Sequence, residues 1–179
     1  MDRLTKAGLG QDYDSMTLSR TTQAWIAAGE ELQRRVLSVL DGVTSEVEIV
    51  GSSSVMDLLA KPVLDLAVGL TDQQPLSPTE TRLVADGWVY RGDAGADGGH
   101  VFVLETRPWH RVAHLHVVQF EGVAWRDYLR LRDLLRRSPD ARESYEAVKV
   151  ELAQRQPIDR KAYTAGKTEV VASLLAEHG

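Results

Sequence analysis

Apolar residues recur at close to helical spacing over residues 17–40, at Leu18, Trp25, Ile26, Leu32, Val36, Leu37 and Leu40. That period predicts one long helix, or one broken at Gly29, with Asp41-Gly42 as its end. Residues 47–50 are short and rich in β-branched side chains, which predicts a strand running into a turn at Gly51-Ser52-Ser53-Ser54. Residues 55–60 then predict a short helix, interrupted by Pro62, which biases Lys61 away from helical geometry. Residues 63–70 are apolar throughout except for Asp65, the pattern of a central strand covered on both faces.

Ser77-Pro78-Thr79-Glu80 carries a helix start, with Ser77 as the cap, Pro78 in the first turn and Glu80 closing a capping box. Gly87 stops that helix, and Trp88 to Tyr90 form a further strand. Gly92, Gly95, Gly98 and Gly99 mark a flexible loop or a hairpin over residues 91–99. Residues 100–106 and 113–120 read as two strands joined by a turn near Pro108, for which an antiparallel hairpin is the simplest pairing. After Gly122 the pattern is helical in three segments. They are residues 123–137, a second helix from the Ser138-Pro139 cap to about Arg155, and a third from Pro157 to about Glu177. Residues 1–16 are polar and contain glycine, and are expected to be a loose arm. The whole is a mixed α/β (α+β) chain: an N-terminal helix, a mixed sheet between about residues 47 and 120, and a helical part over residues 123–179.

Composition narrows the function. The chain has 179 residues, 43% of them hydrophobic and 26% charged, which fits one globular domain over residues 1–179. It has no cysteine, so disulfides, thiolate metal sites and cysteine nucleophiles are excluded. A net charge of −5 argues against broad nucleic-acid binding. No apolar run approaches the length of a membrane span, and a soluble, cytoplasmic protein is expected.

Several residues carry candidate chemistry. Gly51 and Ser52 follow a strand directly, where a glycine lets backbone N–H groups approach an anion and serine hydroxyls add donors. The alternative is an ordinary polar turn. Asp65 lies in an apolar strand, and an unpaired carboxylate there costs several kcal/mol. It is either a magnesium ligand or a structural aspartate paired with Lys61 or an arginine. His114 and His116 are two apart in a strand and share a face, suited to a metal or a phosphate, or simply half-exposed. Lys167 and Tyr163 are four apart, a spacing that packing and a surface charge also explain. Trp88, Trp109 and Trp125 are assigned to packing.

Together these pieces resemble the GrpB-like family of the nucleotidyltransferase-like superfamily. The resemblance rests on Val50-Gly51-Ser52-Ser53-Ser54-Val55 with Leu58 to Pro62 and Asp65, and on His114-Leu115-His116-Val117-Val118. It extends to Trp125, Tyr128, Leu129, Arg132-Asp133 and Pro139, then to Tyr145, Lys149, Leu152, Asp159, Arg160, Tyr163 and Lys167. It covers about residues 45–170 and implies a nucleotidyltransferase-like core. It further implies a nucleoside triphosphate held by Gly51, Ser52, Ser53, Lys149 and Lys167, with Mg2+ on Asp65. Lys61 and an inward-facing Arg132 would neutralise leaving-group charge beside Asp65. The superfamily's second carboxylate is Ala67 here, so His114 and His116 are the candidates to complete the metal site. Met56 and Asp57 replace the family's usual proline and glycine, and Gly99 and His100 its usual basic pair. The implied activity is Mg-dependent transfer of a nucleotidyl group to a small hydroxylated acceptor. The alternatives are a non-catalytic binder of a nucleotide or other phosphorylated ligand, and an accessory protein acting through its helical tail.

Overall fold

The strand that carries the lone acidic residue is the organising element. In the computed structural model, which describes residues 2–44, 46–94, 99–155 and 160–177, it spans Leu64–Leu70 (β5). The elements before it are α1 (Asp2–Lys6), β1 (Gln11–Asp12), β2 (Ser19–Arg20), α2 (Gln23–Val39), β3 (Val47–Val50) and β4 (Leu59–Ala60). After it come α3 (Leu76–Ala85), β6 (Trp88–Asp93), β7 (His100–Arg107), β8 (His110–Gln119), α4 (Val123–Arg137), α5 (Pro139–Arg155) and α6 (Arg160–Glu177).

The main sheet has the order β3-β5-β8-β7-β6, with β1 added alongside β8. β5 runs antiparallel to β3 and parallel to β8, and the expected β7–β8 hairpin is antiparallel. Alternation divides β5 between its two faces. Leu64, Leu66, Val68 and Leu70 join Trp25, Leu32 and Val36 of α2, Leu83 of α3 and Trp88 in the larger core. Burying each such aliphatic side chain contributes about 1.5–3 kcal/mol. On the other face Ala67 is fully buried among Val50, Val118 and Trp125 of α4. A third cluster ties Val55 and Leu58 to Leu131, Leu135, Tyr145 and Leu174, which fastens the C-terminal helices beneath the serine turn.

Three expectations meet a different structure. Residues 1–16 are not a loose arm: Leu4 and Leu9 are buried in the larger core, the Trp25 indole N–H donates to Ala7 O at 2.9 Å, and β1 pairs with β8. Residues 55–60 form no helix. Asp57 stands at φ 58°, and the Asp57 N–H donates to Thr21 O while the Thr21 N–H and hydroxyl donate to Leu58 O. This long-range pairing leads into the β2–β4 ribbon and takes up the backbone groups a helix needs. Of the two readings for residues 17–40 the unbroken helix holds, since α2 runs through Gly29 with Thr22 as cap. α3 begins at Leu76 after an extended Pro75, so Ser77 lies in the first turn and is not the cap. The start expected at Pro157 lies outside the described residues.

Candidate functional site

β3 and β5 pair so that Val50 stands opposite Asp65, and the chain leaves β3 directly beside the carboxylate. Gly51 there has φ 70° and ψ −176°, a conformation open essentially only to glycine. A Cβ on Gly51 would lie 2.7 Å from Asp65 Oδ2, so the absent side chain is what lets the turn and the carboxylate touch. A single 3₁₀ turn over Ser52–Ser54 follows, closed by the Ser54 hydroxyl donating to Gly51 O at 2.7 Å. Within it the serines diverge. Ser53 is buried, and its Oγ accepts the Asp65 N–H at 3.3 Å. Only Ser52 lines the adjoining cavity. Ser53, expected among the phosphate ligands, therefore braces Asp65 instead, because consecutive side chains of a tight turn point in different directions.

Strand register sets the histidines. Asp65 pairs with His114 and Ala67 with His116 across the parallel β5–β8 ladder. His114 Nδ1 lies 3.2 Å from Asp65 Oδ1, and His116 Nε2 lies 4.0 Å from the same oxygen. Burial alone would raise the Asp65 carboxyl. The His114 hydrogen bond, and after it the nearby charges of His114 and Lys167, outweigh it and hold the carboxyl well below the usual range. Burial lowers His116 to about 4 against the opposing pull of Asp65, so this imidazole is neutral at pH 7. The Tyr128 ring lies over His116 at 5.3 Å, and burial, helped by Asp65, pushes its phenol up to about 12.

The C-terminal helices supply two cations, Lys149 and Lys167. Lys149 of α5 is 2% exposed. Its ammonium donates to Ser52 Oγ at 3.0 Å and to Leu59 O, and lies 5.0 Å from the centre of the Tyr145 ring. Burial lowers it to about 7, and the charges of Lys167 and Lys61 act in the same direction. Ser52, Lys61, Asp65, His114, His116, Lys149 and Lys167 all face one cavity of about 370 Å³. The sequence thus named most of one wall.

It missed Tyr13, Arg91 and Arg111, which also line the cavity. Tyr13 comes from the arm expected to be loose, and its hydroxyl donates to Glu105 Oε1 at 2.8 Å. Arg91 donates to the same oxygen at 2.7 Å and to the Tyr13 hydroxyl oxygen at 3.1 Å. The Arg111 guanidinium is buried 5.1 Å from the centre of the Tyr13 ring. Arg111 stands two residues before the strand predicted over residues 113–120, so its burial in β8 carried no signal in the sequence.

Arg132 faces inward but does not line the cavity. Its guanidinium donates to Glu48 Oε2 at 2.7 Å, Asp133 Oδ1 at 2.8 Å and Ile49 O at 3.2 Å, so it fastens α4 to β3. Charge attracted it to the nearest carboxylates, which are not Asp65. The side chain of Tyr163 lies outside the described residues.

The donor set does not fit a magnesium ion held by the protein. Mg2+ takes octahedral oxygen ligands, yet among the described residues the cavity offers one carboxylate beside two imidazoles and five cationic side chains. The position of the second carboxylate, Ala67, belongs to the apolar packing against Trp125. Among the described residues no group of three His, Asp or Glu side chains stands at metal-binding spacing. What the arrangement can do is hold an anion with several charges.

Comparison with known proteins agrees with this architecture. A family model described as GrpB protein matches residues 15–177. A UPF0157 protein of Streptomyces coelicolor is 32% identical over 170 residues, 95% of this chain and 88% of that protein. The glutamate-rich protein GrpB of Alkalihalophilus pseudofirmus is 25% identical over 94% of this chain and 99% of its own. Among solved structures, the conserved protein GrpB from Enterococcus faecalis superposes with a TM-score of 0.76 at 25% identity, over 90% of this chain and 99% of that one. The Cid1 poly(U) polymerase, solved with MgGTP, superposes at 0.55 with 14% identity, over 76% of this chain and 44% of the polymerase. The likeness to Cid1 shows a nucleotidyltransferase-like fold and nothing finer. No helix among the described residues is long and apolar enough to cross a membrane.

Proposed function

The chain belongs to the GrpB family, and from that membership we propose that it binds a nucleotide, or another small molecule carrying two or more phosphates, in the cavity beside the Gly51-Ser52 turn. One observation carries this reading: among the described residues Lys61, Arg91, Arg111, Lys149 and Lys167 converge on about 370 Å³ that Asp65 alone of the carboxylates lines, with Glu105 behind Arg91. A pair of opposite charges 4 Å apart contributes about 4 kcal/mol in a partly buried setting. Several such pairs favour a polyvalent anion over a monovalent one. Ser52 supplies a neutral hydroxyl beside Lys149, where a terminal phosphate oxygen fits.

Transfer of the nucleotidyl group to a hydroxylated small molecule is the second reading. It is favoured by the fold likeness to a polymerase solved with MgGTP and by Asp65 lying against the turn. On that reading the cavity's cations steady the charge that builds on the leaving phosphates. Magnesium would then enter as the nucleotide's own counter-ion, since the side chains present do not hold it.

Asp65→Asn separates the two. A binding protein loses a repulsive charge and takes ATP or tripolyphosphate several-fold more tightly by isothermal titration, about 1 kcal/mol at moderate effective dielectric. An enzyme loses turnover by orders of magnitude. Absence of heat with either ligand at millimolar concentration, with and without magnesium, would overturn both.

A further inference from the structure

Trp109 was assigned to packing with Trp88 and Trp125. Those two are buried, but Trp109 is 67% exposed. It sits in the β7–β8 turn at φ 64°, a conformation uncommon for a residue with a side chain. The surroundings hold it there on both sides. Its N–H donates to Glu105 Oε2 at 3.3 Å, and its carbonyl accepts the Tyr13 N–H at 3.1 Å. The indole meets the Tyr13 ring edge-on, with centroids 5.7 Å apart at 87°. Tyr13 is itself cavity wall, flanked by Arg91 at 5.6 Å and Arg111 at 5.1 Å. Glu105 joins the pieces, because one oxygen takes Tyr13 and Arg91 while the other takes the Trp109 backbone. An exposed indole on a braced backbone is thus one residue away from the cations of the cavity.

We propose that Trp109 is the stacking platform for the base of a nucleotide whose phosphates occupy the cavity. The inference rests on the cavity binding phosphates and adds what recognises the rest of the ligand. An indole offers a flat π-face, and every nucleobase has a matching one, so the contact selects for a planar ring without selecting among bases. The brace fixes the indole before the ligand arrives, which lowers the ordering cost of the stack. Because Tyr13 touches both Trp109 and the arginines, base and phosphates are held by one continuous surface.

The test titrates ATP and inorganic tripolyphosphate into the wild-type protein, Trp109→Ala and Trp109→Phe. ATP is expected to bind Trp109→Ala roughly tenfold more weakly and Trp109→Phe nearly normally, as loss and retention of one stacking ring require. Tripolyphosphate should bind all three alike. Tryptophan fluorescence of the wild type should be quenched by ATP and not by tripolyphosphate, and Trp109→Ala should lose that quenching. Equal ATP affinity in wild type and Trp109→Ala overturns the platform while leaving the phosphate cavity standing. Equal weakening of both ligands also overturns it, because Trp109 then acts by bracing Tyr13. Failure of the wild type to bind either ligand overturns the platform together with the cavity reading.

Discussion

Replacing Gly51 with alanine adds one methyl group where the turn and the acidic strand meet. Two costs are separable. Backbone angles of φ 70° and ψ −176° lie in a region essentially closed to residues with a Cβ, which costs about 1–3 kcal/mol. The new Cβ also stands 2.7 Å from Asp65 Oδ2 and 3.1 Å from Asp65 Cβ. Asp65 yields poorly, because its N–H is bonded to Ser53 Oγ and its carboxylate to His114. Overpacking of that kind adds about 1–3 kcal/mol. The sum of about 2–6 kcal/mol lowers the melting temperature by roughly 4–24 °C in a domain of this size. Gly42→Ala is the matched control: φ is 72°, but nothing stands within 4 Å of its Cβ, so it carries only the backbone cost of about 1 kcal/mol. Thermal unfolding by circular dichroism compares the two. Equal losses would refute the close approach of Gly51 to Asp65, and with it the convergence of turn and carboxylate.

Lys149 should give the fold a pH signature. Its folded pKa is lowered to about 7 from an unfolded value of about 10.4. Between those values the unfolded chain binds the extra proton, so stability rises with pH from about 7 to 10.4. Urea midpoints across that range should show this rise in the wild type and a flatter profile in Lys149→Met. Arg132→Ala removes the guanidinium that joins α4 to Glu48 and Ile49, and should cost about 1–3 kcal/mol in urea unfolding. Its affinity for tripolyphosphate by titration calorimetry should stay at the wild-type value, whereas Arg111→Ala, in the cavity wall, should weaken it.

Local chemistry was legible in the sequence. A glycine between a β-branched run and three serines implies a turn that only glycine can make, and Asp65 alone in an apolar strand implies a partner. Both hold: the Gly51 turn exists and Asp65 meets His114. The helices over residues 123–137 and 139–155 follow from apolar period and from the Ser138-Pro139 start. What depended on distant parts of the chain was not legible. The Thr21–Leu58 bonds that replace a helix, the Glu48 carboxylate that captures Arg132, and Tyr13 in the cavity wall each join segments far apart in sequence. Ser52 and Ser53 are adjacent and chemically alike, and only the turn's geometry decides that one faces the cavity while the other braces the strand. Trp109 has the composition of a core residue, but the hairpin turn leaves it outside.

The central claim is that the cations of the C-terminal helices, the Ser52 hydroxyl and the Asp65 edge form one anion site. A crystal soaked with tripolyphosphate tests it most directly. The account expects phosphate oxygens within hydrogen-bond distance of Ser52 Oγ and of the Lys149 and Lys167 ammonium groups, with Arg91 and Arg111 on the opposite wall. Tripolyphosphate bound instead along the α5 surface at Arg20 and Arg142, with none between Ser52 and Lys167, would contradict it.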